Sequence, residues 1–355
     1  MKIDLLPVVP EYFKTNLHTH TNISDGGLTP EEMIAKYKGA GYKVLSLTDH
    51  NVIVDHSAKT TEDFLLLTGL EVNINDGEYL PTKGFWGLTY HLNLIAKDPH
   101  NLWQPVNVVR KRETAKPYED LVTCENMPKI YGVKEINEMI ALANRKGFLV
   151  MYNHPVWSGQ RSADYLPLKG LWAMEMRNTS SARAGYNENN HWVYQEMLEN
   201  GMRLFPTGTD DAHTEKSLFG AWCMVGAEKL EYGSVIEALE KGDFYMSCGP
   251  EIHSLSLEDG FLNITCTDAR EIIVETHARA ARRAAAGEGE YLREARIDLT
   301  KFFDWCEAVP QDHAFFRVTV FGPDGSYAAT RAYWVDQLSG ATGERDTDPQ
   351  SVRSL

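Results

Sequence analysis

The sequence predicts an α/β fold with a largely parallel sheet, followed by a smaller β-rich region. Short apolar strands alternate with amphipathic helices across the first part of the chain, a pattern typical of βα units. Histidines and carboxylates repeatedly stand where these strands end, and such folds collect their chemistry at the carboxyl ends of parallel strands. Near Pro250 the pattern changes to short strands and hairpins. We therefore predict a domain over residues 1–250, a small β-sandwich-like domain over 251–338 and a disordered polar tail over 339–355.

The composition favours an acidic, soluble protein. The 355 residues include 50 acidic and 35 basic ones, for a formal net charge of −15. This balance argues against binding a nucleic-acid polymer or a membrane surface, while bound metal ions would still permit an anionic substrate. Five cysteines without a C-x-x-C motif predict neither a disulfide framework nor a zinc knuckle. With no signal-peptide core and no apolar run of about 18 residues, we expect a cytoplasmic protein, and the sequence predicts no oligomeric state.

The first helix is predicted from its capping residues. Thr29, Pro30 and Glu32 take the N-cap, N1 and N3 positions of a capping box, and Gly41 ends the helix. A second helix is predicted over 132–146, where Ile136, Met139, Ile140 and Ala143 form one apolar stripe, and a third over 188–200, which Gly201 ends.

Two segments interrupt the alternation of strands and helices. Residues 98–131 are polar and rich in aromatic residues and proline, which suits either a lid near the site or a variable surface insertion. Residues 277–296 are rich in alanine, arginine and glutamate, and we expect an exposed helix and loop there.

Nine side chains form a candidate metal-binding set. His18 and His20 lie at i and i+2, so both face the same side of an extended segment. Four predicted strands lead into His50, Glu71, His154 and Asp211, and a fifth begins on His91. The full set has six imidazoles and three carboxylates, namely His18, His20, Asp25, His50, Glu71, His91, His154, Asp211 and His213.

The chemistry of this set favours zinc, manganese or iron, because it offers imidazole and carboxylate ligands without a thiolate. Nine ligands exceed the needs of one ion, so we expect two or three divalent ions, with Glu71 as a natural bridge. Neighbouring ions activate water and hold phosphoryl oxygens, which makes phosphoester hydrolysis the reaction that such a site suits best.

The same residues resemble motifs of the polymerase and histidinol phosphatase (PHP) family of metal-dependent phosphoesterases. The matching segments are 16–20 with 24–26, 47–51, 69–71, 153–155 and 208–213. The resemblance implies a distorted seven-stranded α/β barrel, related to the TIM barrel, with a trinuclear zinc, manganese or iron site on one rim. It also implies that all nine residues are ligands. Carried over by position, one ion would be held by His18, His20, Glu71 and Asp211, a second by Glu71, His91 and His154, and a third by Asp25, His50 and His213.

Other polar residues have both a functional and a structural interpretation. Asp49 would either hydrogen-bond the second nitrogen of a histidine ligand or cap its strand. Asp210 would either assist catalysis, by orienting a ligand or donating a proton, or serve as a turn carboxylate. Arg177 suits catalysis and the phosphate oxygens of a substrate, with Arg161 as a second substrate-binding candidate; the alternative for Arg177 is a surface salt bridge. Trp86, Trp103 and Trp157 would either stack on a base or sugar or pack in an aromatic core.

The sequence thus predicts a hydrolase that acts on a small phosphomonoester or nucleotide through metal-activated hydroxide. Two alternatives remain open. One is a metal-dependent hydrolase of amide or ester bonds, which would use the same ligands. The other is a non-catalytic metal-binding protein that acts through its β domain.

Overall fold

The computed structural model describes residues 2–77, 87–107, 113–277, 280–306 and 313–339. Trp86 and nearly all of the predicted tail lie outside these ranges. The strands are β1 (Lys2–Asp4), β2 (Phe13–Asn16), β3 (Val44–Leu47), β4 (Leu65–Asn75), β5 (Thr89–Ala96), β6 (Trp103–Gln104), β7 (Thr123–Cys124), β8 (Phe148–Tyr152), β9 (Ala173–Asn178), β10 (Phe205–Thr209), β11 (Trp222–Val225), β12 (Phe244–Ser247), β13 (Ile252–Glu258), β14 (Phe261–Ala269), β15 (Glu271–Thr276), β16 (Ala281–Ala285), β17 (Leu292–Asp298), β18 (Phe315–Phe321), β19 (Tyr327–Thr330) and β20 (Tyr333–Trp334). The helices are α1 (Pro30–Gly39), α2 (Lys116–Glu119), α3 (Val133–Arg145), α4 (Ser162–Tyr165), α5 (Thr179–Arg183), α6 (His191–Glu199), α7 (Tyr232–Lys241), α8 (Thr300–Cys306) and α9 (Val335–Ser339).

One large mixed sheet carries the site, so the α/β class is confirmed. Its strands follow the order β10-β9-β8-β5-β4-β3-β2-β11-β12-β19-β18-β15-β16, with β20 beside β18. Strands β2, β3 and β4 are parallel, as are β8, β9 and β10, but β5 is antiparallel to both of its neighbours. The sheet is therefore less parallel than predicted.

The reversed direction of β5 explains how a histidine at the beginning of a strand reaches the same edge as residues that follow other strands. In the antiparallel register, His91 lies opposite Asn73, near the carboxyl end of β4. Glu71 lies within β4 rather than after it, so its predicted place at a strand end is wrong. The strand continues because residues 69–75 pair with β5.

Local signals predicted the helices well. The capping box at Thr29 and Glu32 is present, and α1 ends at Gly39 with Gly41 at φ +81°. Helix α3 buries the predicted stripe of Ile136, Met139 and Ile140 against the sheet, in a large core that includes residues of β5 and β8. A second core lies on the other face of the same strands and includes Leu17, Val44, Leu67, Met151 and Ala173.

The chain after Pro250 is rich in strands, as predicted. Strands β1, β13, β14 and β17 form a four-stranded sheet, and β15, β16, β18 and β19 extend the large sheet beyond β12. A third core, with Leu262, Ile272 and Val318, joins the two sheets. The exposed helix predicted within 277–296 is wrong, because the described part of this segment contributes β16 and the start of β17. Pairing with β15 and β14 outweighs the helical preference of its alanines and arginines.

The segment 98–131 contacts the rim of the large sheet. Gln104 donates from Nε2 to the carbonyl of Asn51 at 3.1 Å, and Lys129 donates from Nζ to Oδ1 of Asn73 at 3.3 Å. Thr114 donates from its hydroxyl to the carbonyl of Asn22. Both the lid and the surface-insertion interpretation stay predictions.

Two further expectations concern the chain as a whole. All five cysteines are free thiols, as predicted. Among the described residues, no helix has the length and apolar character that a membrane crossing requires.

Candidate metal centre

The structure brings the nine predicted side chains together into one group, which we call the nine-residue cluster. The first and last sequence motifs meet through their backbones. Asp211 donates its N–H to the carbonyl of His18 at 2.8 Å, and His20 donates to the carbonyl of Ala212 at 3.0 Å. Eight members of the cluster are at least four-fifths buried, while the side chain of His213 is 31% exposed. His213 and Asp25 are therefore the most exposed members of the cluster.

Glu71 lies at the centre of the cluster. Its two carboxylate oxygens face different sets of imidazoles. Oε1 lies 2.9 Å from Nδ1 of His91 and 3.3 Å from Nε2 of both His18 and His154, whereas Oε2 lies 3.0 Å from Nδ1 of His50 and 3.3 Å from Nε2 of His20. Glu71 therefore contacts five histidines of the cluster, three through Oε1 and two through Oε2.

Two other carboxylates complete the cluster. Oδ1 of Asp211 lies 3.0 Å from Nε2 of His20 and 3.2 Å from Nε2 of His18. Asp25 lies 3.5 to 3.6 Å from ring nitrogens of three histidines, which are His20, His50 and His213.

The ligand atoms fall into three overlapping groups, each with all its atoms within 4.8 Å of one another. These groups are His18, His20, Glu71 and Asp211; His20, Asp25, His50 and His213; and His50, Glu71 and His91. The first coincides with a set implied by the family resemblance. The second group adds His20 to the implied set of Asp25, His50 and His213. The third group contains His50 where the resemblance implies His154, and the ring of His154 lies beside Glu71 and Ser158.

Several buried atoms of the cluster lie 3.0 to 3.6 Å from an oppositely charged group but make no hydrogen bond of suitable geometry within the described residues. They are Nδ1 of His20, Nδ1 of His50, Oε2 of Glu71 and Oδ1 of Asp211. A buried polar atom without a partner costs about 1–3 kcal/mol, so such atoms indicate a missing ligand when they converge. Imidazole and carboxylate donors in this arrangement fit divalent metal ions.

The carboxylates and histidines of the cluster shift one another's pKa values. Burial raises the pKa of Asp211 and Glu71, but the surrounding histidines outweigh it and hold both well below their ordinary values. Burial lowers the pKa of His20 and His154, but the nearby carboxylates raise them overall to about 10 and about 9. Burial lowers the pKa of His50 and His91 instead, so the cluster combines anionic carboxylates with histidines whose pKa values shift in both directions.

Glu175 supports the cluster and was missed by the sequence analysis. It is fully buried in β9, and its Oε1 lies 2.6 Å from Nδ1 of His18 and accepts from the hydroxyl of Thr209 at 2.5 Å. Its Oε2 accepts from the N–H of His154 and from Nδ2 of Asn178, both at 2.9 Å. A carboxylate in this position fixes the tautomer and orientation of a histidine ligand. The only local signal was an acidic residue within an apolar strand.

Three of the six non-glycine residues with positive φ in the described part of the chain lie at the cluster. Asn51, His154 and Asp211 have φ angles of +55°, +25° and +50°. Such conformations cost non-glycine residues roughly 1–3 kcal/mol each and persist only where the surroundings enforce them. His154 and Asp211 are cluster members, and Asn51 is the neighbour of His50.

Asp49 has the structural role among its two interpretations. Its Oδ1 accepts from the N–H groups of Thr21 and Ser24 and from the Ser24 hydroxyl, and its Oδ2 accepts from the Thr21 hydroxyl. Asp49 thereby holds the loop that carries Asp25, rather than bonding the second nitrogen of a histidine ligand.

Asp210 takes the position of a turn carboxylate, and its catalytic role stays a prediction. Its carboxylate accepts from the hydroxyl of Tyr37 and from the N–H groups of residues 219–221, at 2.7 to 3.2 Å. These four donors occupy both oxygens, and burial raises the pKa of Asp210. The turn interpretation therefore describes this residue.

The two arginines stand apart from the cluster. Arg177 is partly buried and donates from a terminal nitrogen to Oδ1 of Asn189 at 2.5 Å, while Arg161 is exposed at the beginning of α4. Among the described residues, neither guanidinium forms a hydrogen bond or ion pair with the nine-residue cluster. Their substrate-binding roles stay predictions.

Trp103 and Trp157 differ in how far they are buried. Trp103 is 4% exposed and belongs to the core beside α3, as the packing interpretation predicts. Trp157 is 40% exposed, and its ring contacts the imidazoles of His91 and His154. The core interpretation is thus wrong for Trp157.

Three solved structures are similar to this chain at low sequence identity. A two-domain protein from Bacteroides vulgatus, containing a predicted PHP-like metal-dependent phosphoesterase, is 16% identical with a TM-score of 0.41, over 93% of this chain and 98% of that one. A candidate metal-dependent phosphoesterase from Bifidobacterium adolescentis is 18% identical (TM-score 0.35), and an amidohydrolase from Chromobacterium violaceum with bound sulfate and no metal is 15% identical (TM-score 0.36). Each of the last two similarities covers 57% of this chain and 88% of the other. At these scores the structural similarities support no conclusion about fold, substrate or reaction.

The comparison by sequence is more informative. No curated protein matches the chain. The family model of the PHP domain matches residues 16–150, a segment that supplies His18, His20, Asp25, His50, Glu71 and His91 of the cluster. The resemblance seen in the motifs is thereby confirmed, and residues 16–150 of this chain match the model of the PHP domain family.

Proposed function

We propose that this protein is a metal-dependent phosphoesterase that hydrolyses a small phosphomonoester or nucleotide. The observation that carries the proposal is the position of Glu71, whose two oxygens face separate sets of imidazoles. Together with the three overlapping ligand groups, this supports a site for two or three divalent ions of zinc, manganese or iron.

The residues of the chain prepare the site for such ions. When bound, divalent ions supply Lewis-acid polarisation of phosphoryl oxygens and activation of water. Glu175 accepts a hydrogen bond from the Nδ1–H group of His18, which leaves the Nε2 lone pair directed into the cluster. Ser158 lies 3.1 Å from Nδ1 of His154 and orients that ring in the same way. The burial of the cluster limits competition from bulk water.

We also propose that the sheet closes as the distorted seven-stranded barrel expected for the family. Seven strands follow one another in the order β10-β9-β8-β5-β4-β3-β2. An isolated parallel bridge pairs Thr19, after β2, with Ala212, after β10. This contact supports closure at the edge that carries the cluster, where the two motifs around His18 and Asp211 meet.

The test is a substrate screen of the metal-loaded protein with elemental analysis. The protein is stripped with a chelator, reloaded with zinc, manganese or iron, and assayed on a panel of phosphomonoesters and nucleotides. We expect stoichiometric metal and phosphate release that is lost in His20→Ala and Glu71→Ala. His253→Ala is the matched control, because this histidine is exposed and lies outside the cluster.

Three results would contradict the proposal. Full activity of the metal-stripped Glu71→Ala variant would remove the proposed site from the reaction. Turnover of carboxylic esters or amides, with none of any phosphoester, would favour the alternative hydrolase. Bound metal without turnover on either panel would favour a binding protein.

A further inference from the structure

We propose that Trp157 forms a wall at the entrance of the cluster and binds the planar, aromatic part of the substrate's leaving group. This inference rests on the proposed phosphoesterase function and narrows its substrate class to esters of aryl or heteroaryl compounds, including nucleotides whose base reaches the indole.

The position of the indole at the boundary between the cluster and solvent supports this role. Its ring centroid lies 4.9 Å from that of His154 and 5.3 Å from that of His91, with interplanar angles of 81° and 60°. These two imidazoles are 1% and 6% exposed, whereas Trp157 is 40% exposed. The indole thus contacts two cluster members on its buried side and presents its remaining surface to solvent.

The indole is also held in place before any ligand arrives. It belongs to a series of turns that begins at His154, in which the N–H of Ser158 donates to the carbonyl of His154 at 3.1 Å. The N–H of Trp157 itself donates to Oε1 of the fully buried Glu188 at 2.5 Å, and Oε2 of Glu188 accepts from Nδ2 of Asn190. Because the backbone that carries the ring is fixed, little conformational entropy is lost when the ring binds a partner.

Chemistry determines which partner suits this surface. A phosphoryl group held at the cluster directs its ester substituent towards solvent, since the rest of the cluster is buried. A substituent that leaves beside His91 and His154 meets the exposed part of the indole. A flat π-system stacks on an indole face, whereas an alkyl group of similar charge gains less contact area. The same contact is open to any base, because every base has a π-face.

The test measures binding rather than turnover. Phenylphosphonate and methylphosphonate, which carry the same anionic group and are not hydrolysed at the carbon–phosphorus bond, are titrated calorimetrically into the metal-loaded full-length protein. We expect wild-type protein to bind phenylphosphonate roughly tenfold more tightly than methylphosphonate, within the range of aromatic stacking. In Trp157→Ala this ratio should fall to about one with methylphosphonate affinity unchanged, and Trp157→Phe should retain part of it.

A second exposed tryptophan provides the matched control. Trp192 is 72% exposed on α6, so Trp192→Ala should leave the ratio unchanged. An unchanged ratio in Trp157→Ala, an equal loss of both phosphonates, or the same effect in Trp192→Ala would overturn the inference. A normal phenylphosphonate preference in a protein that hydrolyses no phosphoester would contradict the proposed function and still support binding by Trp157.

Discussion

Glu175→Gln should lower metal affinity without unfolding the protein. The four donors to Glu175 divide evenly between its oxygens, with His18 and Thr209 at Oε1 and His154 and Asn178 at Oε2. Glutamine has the same shape but replaces one oxygen with NH₂. Whichever way the amide turns, two donors face an NH₂ group and lose their acceptor.

The magnitude follows from these contacts. Two buried donors without acceptors cost about 1–3 kcal/mol each, so the free energy of unfolding should fall by about 2–6 kcal/mol. Loss of the carboxylate behind a histidine ligand should lower metal affinity roughly 10- to 100-fold. The lower affinity arises because His18 no longer has a fixed tautomer and orientation.

Competition between the protein and a chromophoric chelator measures the affinity, and urea denaturation measures the stability. Glu275→Gln is the matched control. It removes a carboxylate that pairs with the buried Arg317 at 2.8 Å in the C-terminal β region, so it should reduce stability and leave metal affinity unchanged. Unchanged metal affinity in a folded Glu175→Gln variant would refute the assigned role of Glu175.

Three further predictions concern residues around the cluster and in the fold. Asp210→Asn should lower the free energy of unfolding, measured by urea denaturation, by about 1–3 kcal/mol, because an amide cannot accept from all four donors. Unchanged stability with a large loss of kcat would favour the catalytic interpretation of Asp210. Asp49→Ala should accelerate hydrogen exchange at Thr21 and Ser24, whose N–H groups it holds, while protection as strong as in wild type would refute this account. Burial and Arg317 lower the pKa of His191 to about 3, so the stability that its neutral ring contributes is complete above pH 6.5 and declines as the pH falls towards 3. Between pH 7.5 and pH 5, urea midpoints should therefore fall less in His191→Gln than in wild type, by an amount equivalent to about 1–2 kcal/mol, and parallel pH profiles would contradict this.

The errors of the sequence analysis have physical reasons. Glu71 was placed after a strand because the predicted strand covered only residues 64–68, yet β4 continues to Asn75 and pairs with β5. The segment around β16 has helix-forming residues, but its pairing with β15 decides its conformation. Glu175 lies 157 positions from His18 in the chain, so no local pattern connects the two side chains.

The sequence by itself determined the local elements and the identity of the cluster. The capping box of α1, the apolar stripe of α3 and the choice of nine candidate ligand residues depend on side-chain type and short-range spacing, which a single sequence displays. Only the tertiary structure decided how the ligands are grouped, which carboxylate orients His18, and that Asp210 belongs to a turn. These features depend on contacts between distant segments, since β5 runs opposite to its neighbours and the backbones around His18 and Asp211 meet only in the folded chain.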